Sequence, residues 1–265
     1  MGTNVLSDAT RREAADALAK AENNRAPIAR LTETYPTIEV EDAYEIQRLQ
    51  IEDKLRDGRE VRGYKAGLSS KAMQKMMGVD EPDYGHLLSD MFVFETESVP
   101  TATLCQPRVE FEVAFVLSDA LPSHGCTVAD VLRSTAFVCP SIEIIDSRFD
   151  GWNITLCDTI ADNASSSRVV LGGRLMPPNE IDLRLIGVVV SRNGEIIDTG
   201  ASGAVLGNPA TAVAWLANKL GGFGVRLEAG QVIMPGSCTR AHDVAPGDSI
   251  VAEFAQLGAV SVRFH

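Results

Sequence analysis

Residues 107–117, PRVEFEVAFVL, limit the fold more than any other stretch of this chain. Val109, Phe111, Val113, Phe115 and Leu117 recur at every second position, so a strand places them on one face. A helix would scatter them around its circumference. The opposite face of that strand carries Arg108, Glu110 and Glu112. A solvated strand edge would give the same alternation. The segment 141–146, SIEIID, reads as a second strand and places Glu143 between Ile142 and Ile144. A carboxylate inside such an apolar run is costly unless it is paired or bound to metal.

Three inward-facing glutamates, with few histidines and no thiolate partner, suit a hard cation with oxygen ligands. Mg²⁺ or Mn²⁺ fits this set better than zinc. Three carboxylates leave about three of six octahedral positions for water and substrate. That arrangement suits a chelating 2-oxo acid.

The rest of the chain predicts an α+β architecture. Residues 8–22 carry Ala14, Ala15, Leu18 and Ala19 on one helical face, with Ser7 or Asp8 as N-cap. Residues 41–57 repeat the pattern, and Gly58 ends that helix. A strand is expected at 61–65, then a helix capped by Ser69 or Ser70 and stopped at Gly78. Thr127 caps a helix expected over 128–137. Asn193-Gly194 marks a hairpin within 184–199. Asn208-Pro209 opens a helix through Leu220, and strands near 231–234, 248–254 and 260–264 close the chain. The expected division is a helical N-terminal region, 1–60, and a mainly β catalytic region, 61–265.

Charge narrows the partners. The chain has 265 residues, 24 basic and 36 acidic, for a formal net charge of −12. That balance excludes non-specific binding to nucleic acid and disfavours anionic membrane. Five cysteines without a CxxC pair argue against a disulfide framework and predict reduced thiols. The start of the sequence has no apolar segment resembling a signal peptide, and no run is long enough to span a membrane. The expected location is the cytoplasm.

Three further segments carry candidate chemistry. Lys65 lies in GYKAG, where burial would lower its pKa and suit it to proton transfer; a solvated surface lysine is the alternative. Asp83 lies in Glu-Pro-Asp-Tyr-Gly, which also reads as a simple turn. ADNASSS at 161–167 contains Ser165 and can be a loop and nothing more. MPGSCTR at 234–240 follows an apolar strand, so its backbone N–H groups, hydroxyls and Arg240 can face an anion. GGFG at 221–224 follows a helix and is not a dinucleotide fingerprint, and Walker, HExxH and GxSxG motifs are absent.

At these residues the chain resembles the 2-keto-4-pentenoate (2-hydroxypenta-2,4-dienoate) hydratases within the fumarylacetoacetate hydrolase superfamily. The resemblance runs through DAYEIQ, GYKAGLSSKAMQ, GVDEPDYGHLL, PRVEFEVAFVL, IEIIDSR, DTIADNAS, VAWLANKL and PGSCTR, in that order. The last motif favours the actinobacterial hydratases of steroid-ring and biphenyl catabolism. The resemblance implies a fumarylacetoacetate-hydrolase-like mixed β-roll and a homo-oligomer. It implies Glu110, Glu112 and Glu143 as ligands of Mg²⁺ or Mn²⁺, and Lys65, Asp83 and Ser165 as catalytic groups. Gly236, Ser237, Thr239 and Arg240 would hold the substrate carboxylate.

The activity so implied is a hydro-lyase adding water to 2-hydroxypenta-2,4-dienoate or 2-hydroxyhexa-2,4-dienoate. The product, a 4-hydroxy-2-oxoalkanoate, would pass to an aldolase. Decarboxylation of a 4-oxalocrotonate-type 2-oxo-3-enedioate uses the same scaffold and is the alternative. Acylpyruvate hydrolysis is disfavoured by the scarcity of histidine. A non-catalytic subunit of a pathway complex is the reading from another class.

Overall fold

A computed structural model describes residues 6–265 except 72, 73, 76 and 77. Three helices lead: α1, Asp8–Asn24; α2, Leu31–Thr34; and α3, Val40–Arg56. Ser7 caps α1 by accepting from Thr10 N, as the hydroxyl-before-helix pattern predicts. Ala14, Ala15, Leu18, Ala43 and Ile46 face inward and pack with Phe149 and Ile160. Later helices are α4, Val128–Ser134; α5, Leu156–Ala161; and α6, Pro209–Gly221. Asn208 caps α6 and Pro209 stands in its first turn.

The strands are β1, Val61–Gly67; β2, Asp83–Leu88; β3, Phe92–Val93; β4, Ser98–Val99; β5, Pro107–Leu117; and β6, Thr135–Asp146. There follow β7, Ser166–Leu171; β8, Gly187–Arg192; β9, Glu195–Ala201; β10, Val232–Met234; β11, His242–Asp243; β12, Ser249–Phe254; and β13, Gly258–Phe264. One sheet runs β2-β1-β10-β5-β6-β7-β3, with β11 also on β5. The other runs β4-β13-β12-β8-β9. Val109, Phe111, Val113 and Phe115 are fully buried between them with Val190, Ile250 and Val260. This is the expected mixed α+β fold with a helical N-terminal region.

Several local expectations change. The helix from Thr127 ends at Ser134, and residues 135–137 join β6, where Phe137 pairs with Val116. The Asp83 segment is the start of β2 and not a free turn: Asp83 faces Gly67 across the antiparallel pair. Ser166 and Ser167 leave the expected loop to open β7. The helix after Ser70 is helical at Lys71, Gln74 and Lys75, and its other central positions lie outside the described residues. All five cysteines are free thiols. No helix among the described residues is long and apolar enough to cross a membrane.

Candidate active site

The register of β5 against β6 builds the site. Glu110 stands directly opposite Glu143, and Glu112 opposite Ser141. Like charges directly across a strand pair repel. Here the three carboxylates lie on one face, with an oxygen from each within 4.8 Å of the others. Glu112 and Glu143 are fully buried, and Glu110 is half-buried on a cavity wall.

Their hydrogen bonding is incomplete. Glu112 Oε2 accepts from the Gly236 backbone N–H at 2.7 Å, but its Oε1 has no partner. Glu143 Oε1 lies 2.9 Å from Lys65 Nζ. That is an ion contact at poor hydrogen-bonding angle, and neither oxygen of Glu143 has a well-directed donor. Buried carboxylate oxygens are almost always satisfied. Orphaned oxygens of Glu112 and Glu143, converging with the Glu110 carboxylate, are what a hard divalent cation requires, so the residues fit the group.

Burial raises the Glu110 carboxyl to about 7, with Lys65 opposing and Glu143 and Asp83 adding to the rise. Burial, Glu143 and Glu110 lift Glu112 well above the carboxylate range. Lys65 is 2% exposed, and burial alone would lower its pKa; the surrounding Glu143, Glu110, Glu112 and Asp83 outweigh burial and raise it. The lowered value expected from the sequence is therefore wrong in sign, because that reading did not place the acidic cluster around the ammonium. Lys65 also donates to the Ala164 carbonyl at 3.0 Å. Asp83 is buried and raised, chiefly by desolvation. Thr159 Oγ1 donates to its Oδ2 at 3.2 Å, and Oδ1 is unpartnered.

Ser165 closes an unusual turn. Asn163, Ala164 and Ser165 have φ of 52°, 50° and 54°, three left-handed non-glycine residues in succession. Each such residue costs about 1–2 kcal/mol. Ser165 Oγ donates to Asp162 Oδ2 at 3.2 Å, and Arg148 Nε donates to Asp162 Oδ1 at 2.5 Å.

The 236–240 loop is stitched to β5. Phe111 N donates to Ser237 Oγ at 3.1 Å, and Cys238 N donates to the Phe111 carbonyl at 2.8 Å. Gly236 has φ +117°, and a Cβ there would sit 1.6 Å from Ser69 Oγ. Thr239 Oγ1 donates to the Arg240 carbonyl at 2.8 Å. Arg240 is exposed, with Nε 3.5 Å from Asp198.

All ten expected residues except Glu112 and Glu143 line one cavity of about 810 Å³, and those two lie directly behind it. Its remaining wall is largely apolar: Leu68, Ile145, Trp152, Ile154 and Ala241. Sequence reasoning passed over Arg148, Asn163 and Trp152. Arg148 follows Glu143 in the same motif, but its partners Asp162 and Ser166 come from a turn fourteen or more residues later, a link that spacing does not reveal.

Residues 63–265 match the family model described as fumarylacetoacetate (FAA) hydrolase, C-terminal. The chain is 43% identical over 256 residues to 2-oxo-hept-4-ene-1,7-dioate hydratase of Escherichia coli, covering 94% of this chain and 96% of that protein. It is 42% identical over 254 residues to 2-keto-4-pentenoate hydratase of Paraburkholderia xenovorans (strain LB400), covering 96% and 94%. The structure of 4-oxalocrotonate decarboxylase from Pseudomonas putida G7, complexed with magnesium and adipate, superposes with a TM-score of 0.95 at 38% identity, covering 98% and 99%. The same decarboxylase is also known complexed with calcium and acetate. The fold and the three-carboxylate site thus define a metal-site enzyme scaffold. The chain belongs to the fumarylacetoacetate hydrolase family, within its branch of 2-keto-4-pentenoate hydratase relatives.

Proposed function

We propose that this chain is a metal-dependent hydro-lyase that adds water to a 2-hydroxy-2,4-dienoate and yields a 4-hydroxy-2-oxoalkanoate. The observation that carries the reading is the cluster of Glu110, Glu112 and Glu143, with unpartnered oxygens on Glu112 and Glu143, beside Lys65 and Asp83 at one largely apolar cavity. Glu110, Glu112 and Glu143 would hold Mg²⁺ or Mn²⁺. When bound, the cation supplies Lewis-acid stabilisation of negative charge on the substrate's C2 oxygen.

The chain's own residues handle the protons. The raised pKa keeps Lys65 an ammonium, fixed by the Ala164 carbonyl and Glu143. In this reading Lys65 and Asp83 move protons as the C2 hydroxyl becomes a ketone and C5 is protonated. The resulting enone takes water oxygen at C4 and a proton at C3, so one water is consumed and nothing is released. Ser165 Oγ orients substrate or water. Gly236, Ser237, Thr239 and Arg240 close the carboxylate end, with Gly236 also fixing Glu112.

The distal wall favours a monocarboxylate over an enedioate. Arg108 stacks 4.5 Å over Trp152 and donates to Asp243 at 2.6 Å. Arg108 thus already has a carboxylate partner, while Leu68, Ile145 and Ile154 offer hydrocarbon. A second substrate carboxylate beside Arg108 would compete with Asp243, and the lining Lys71 already donates to Gln74 Oε1 at 2.9 Å, so placing the added charge there carries a desolvation cost. A five- or six-carbon dienoate, as formed in meta-cleavage of aromatic or steroid rings, fits this wall. Self-assembly, a cytoplasmic location and delivery of product to an aldolase complete the reading.

Incubating the Mg²⁺-loaded protein with dienoate and with dienedioate tests it. The expected result is ultraviolet loss of the dienoate without CO₂. Rapid CO₂ release from the dienedioate would give the decarboxylase reading. Failure to bind Mg²⁺ and oxalate by isothermal titration would give the non-catalytic one.

A further inference from the structure

We propose that Arg148 and Asn163 are positioning residues: together they lock the left-handed turn 163–165, and the turn aims Lys65 and Ser165 into the cavity. The inference rests on the reading of those two groups as substrate-facing.

A run of three left-handed non-glycine residues does not persist unless its surroundings over-determine it. Here it is held at both ends and across its middle. The buried Arg148 guanidinium donates from Nη2 to the Asp162 carbonyl at 2.5 Å, before the run. From Nη1 it reaches the Ser166 carbonyl at 3.3 Å, after the run, and the Asp146 carbonyl at 2.5 Å. Its Nε and backbone N–H take both oxygens of Asp162, at 2.5 and 3.1 Å. One planar fork therefore brackets the whole turn, which a lysine's single ammonium cannot do.

Asn163 ties the turn to β2. Its Oδ1 accepts from His86 N at 2.7 Å, and its Nδ2 donates to the His86 carbonyl at 2.9 Å. Next to that pair, Gly85 lets the turn approach: a Cβ there would lie 2.5 Å from the Asn163 carbonyl. Gly85 is also the residue opposite Lys65 in the β1–β2 register. The clasp thus fixes the turn to the same strand pair that carries Lys65. Its outputs are the Ala164 carbonyl, 3.0 Å from Lys65 Nζ, and the Ser165 side chain, held by Asp162 at 3.2 Å; Ala164 and Ser165 both line the cavity. The hydrogen bonds of the turn and its clasps go to Lys65, His86, Asp146, Asp162 and Ser166 and not to the three glutamates, which the turn reaches only through Lys65, so the device acts first on proton handling.

The test compares Asn163→Ala, Asn163→Gly and Arg148→Lys with Lys65→Met, each as the Mg²⁺-loaded full chain. Kinetics are normalised to folded protein, and Mg²⁺ affinity is measured by titration. Asn163→Ala and Arg148→Lys should lower kcat on the order of 10–100-fold, with Mg²⁺ affinity and KM within about threefold of wild type. Asn163→Gly loses the same two bonds but adopts positive φ freely. It should keep roughly fivefold more kcat than Asn163→Ala. A role confined to stability would shift melting without that ordering. Wild-type kcat in Asn163→Ala, or equal kcat in the alanine and glycine variants, overturns the inference while an inactive Lys65→Met leaves the reading of Lys65 intact. Full activity in Lys65→Met overturns both.

Discussion

Replacing Glu110 by Gln should stabilise the metal-free protein while removing its response to metal. Burial and the neighbouring Glu143 and Asp83, against Lys65, hold the Glu110 carboxyl at about 7. Its ordinary value is 4.5. In that window the folded state binds more protons than the unfolded state. Stability therefore falls as pH rises from about 4.5 to about 7, the reverse of an ordinary paired carboxylate. A shift of this size corresponds to at most about 3 kcal/mol at pH 8. Glu110 lines the cavity and keeps some access to water, so we discount this to about 2 kcal/mol. For a chain of this length that is about 4 °C in melting temperature. Calorimetry of chelator-treated protein at pH 8 should show Glu110→Gln melting above wild type by this margin, and the gap should close towards pH 4.5. Added Mg²⁺ should then raise wild type, by about 2.7 kcal/mol at 100 times Kd, and leave the variant unmoved. A variant less stable than wild type at pH 8, or a gap independent of pH, would refute the electrostatic argument.

Three further outcomes follow from the same geometry. Mg²⁺ binding near pH 6.5 should release protons, because Glu110 and Glu112 must ionise to bind; titration in two buffers of different ionisation enthalpy counts them. Gly236→Ala should weaken Mg²⁺ affinity at least tenfold and lower the melting temperature, since its Cβ would overlap Ser69 and displace the N–H that holds Glu112. Trp152→Ala should release Arg108 from its ring and narrow the preference for dienoate over dienedioate, read as a ratio of kcat/KM.

The β5 and β6 strands were legible because alternation is a local signal. Glu143 stood out because it interrupts an apolar run, and the structure sets it opposite Glu110. Asn193-Gly194 likewise marks the β8–β9 hairpin, and Asn208 the cap of α6. What could not be read depends on distant partners. Asp83 is strand because β1 pairs with it, and the turn-forming residues around it outweighed that in the sequence. Lys65 keeps its proton because four acids from other elements surround it, whereas its own segment argues for burial alone. Arg148 and Asn163 acquire their roles only when the 162–166 turn folds back on β6 and β2.

The central claim is hydration at this site. Its most direct measurement is product analysis after turnover of a 2-hydroxy-2,4-dienoate in ¹⁸O-labelled water, with wild type and with Glu143→Ala, each with and without Mg²⁺. The account expects wild type with Mg²⁺ to give the 4-hydroxy-2-oxo acid carrying label at C4, and the other three conditions to give almost none. Unlabelled C4, release of CO₂, or undiminished product from Glu143→Ala would contradict it.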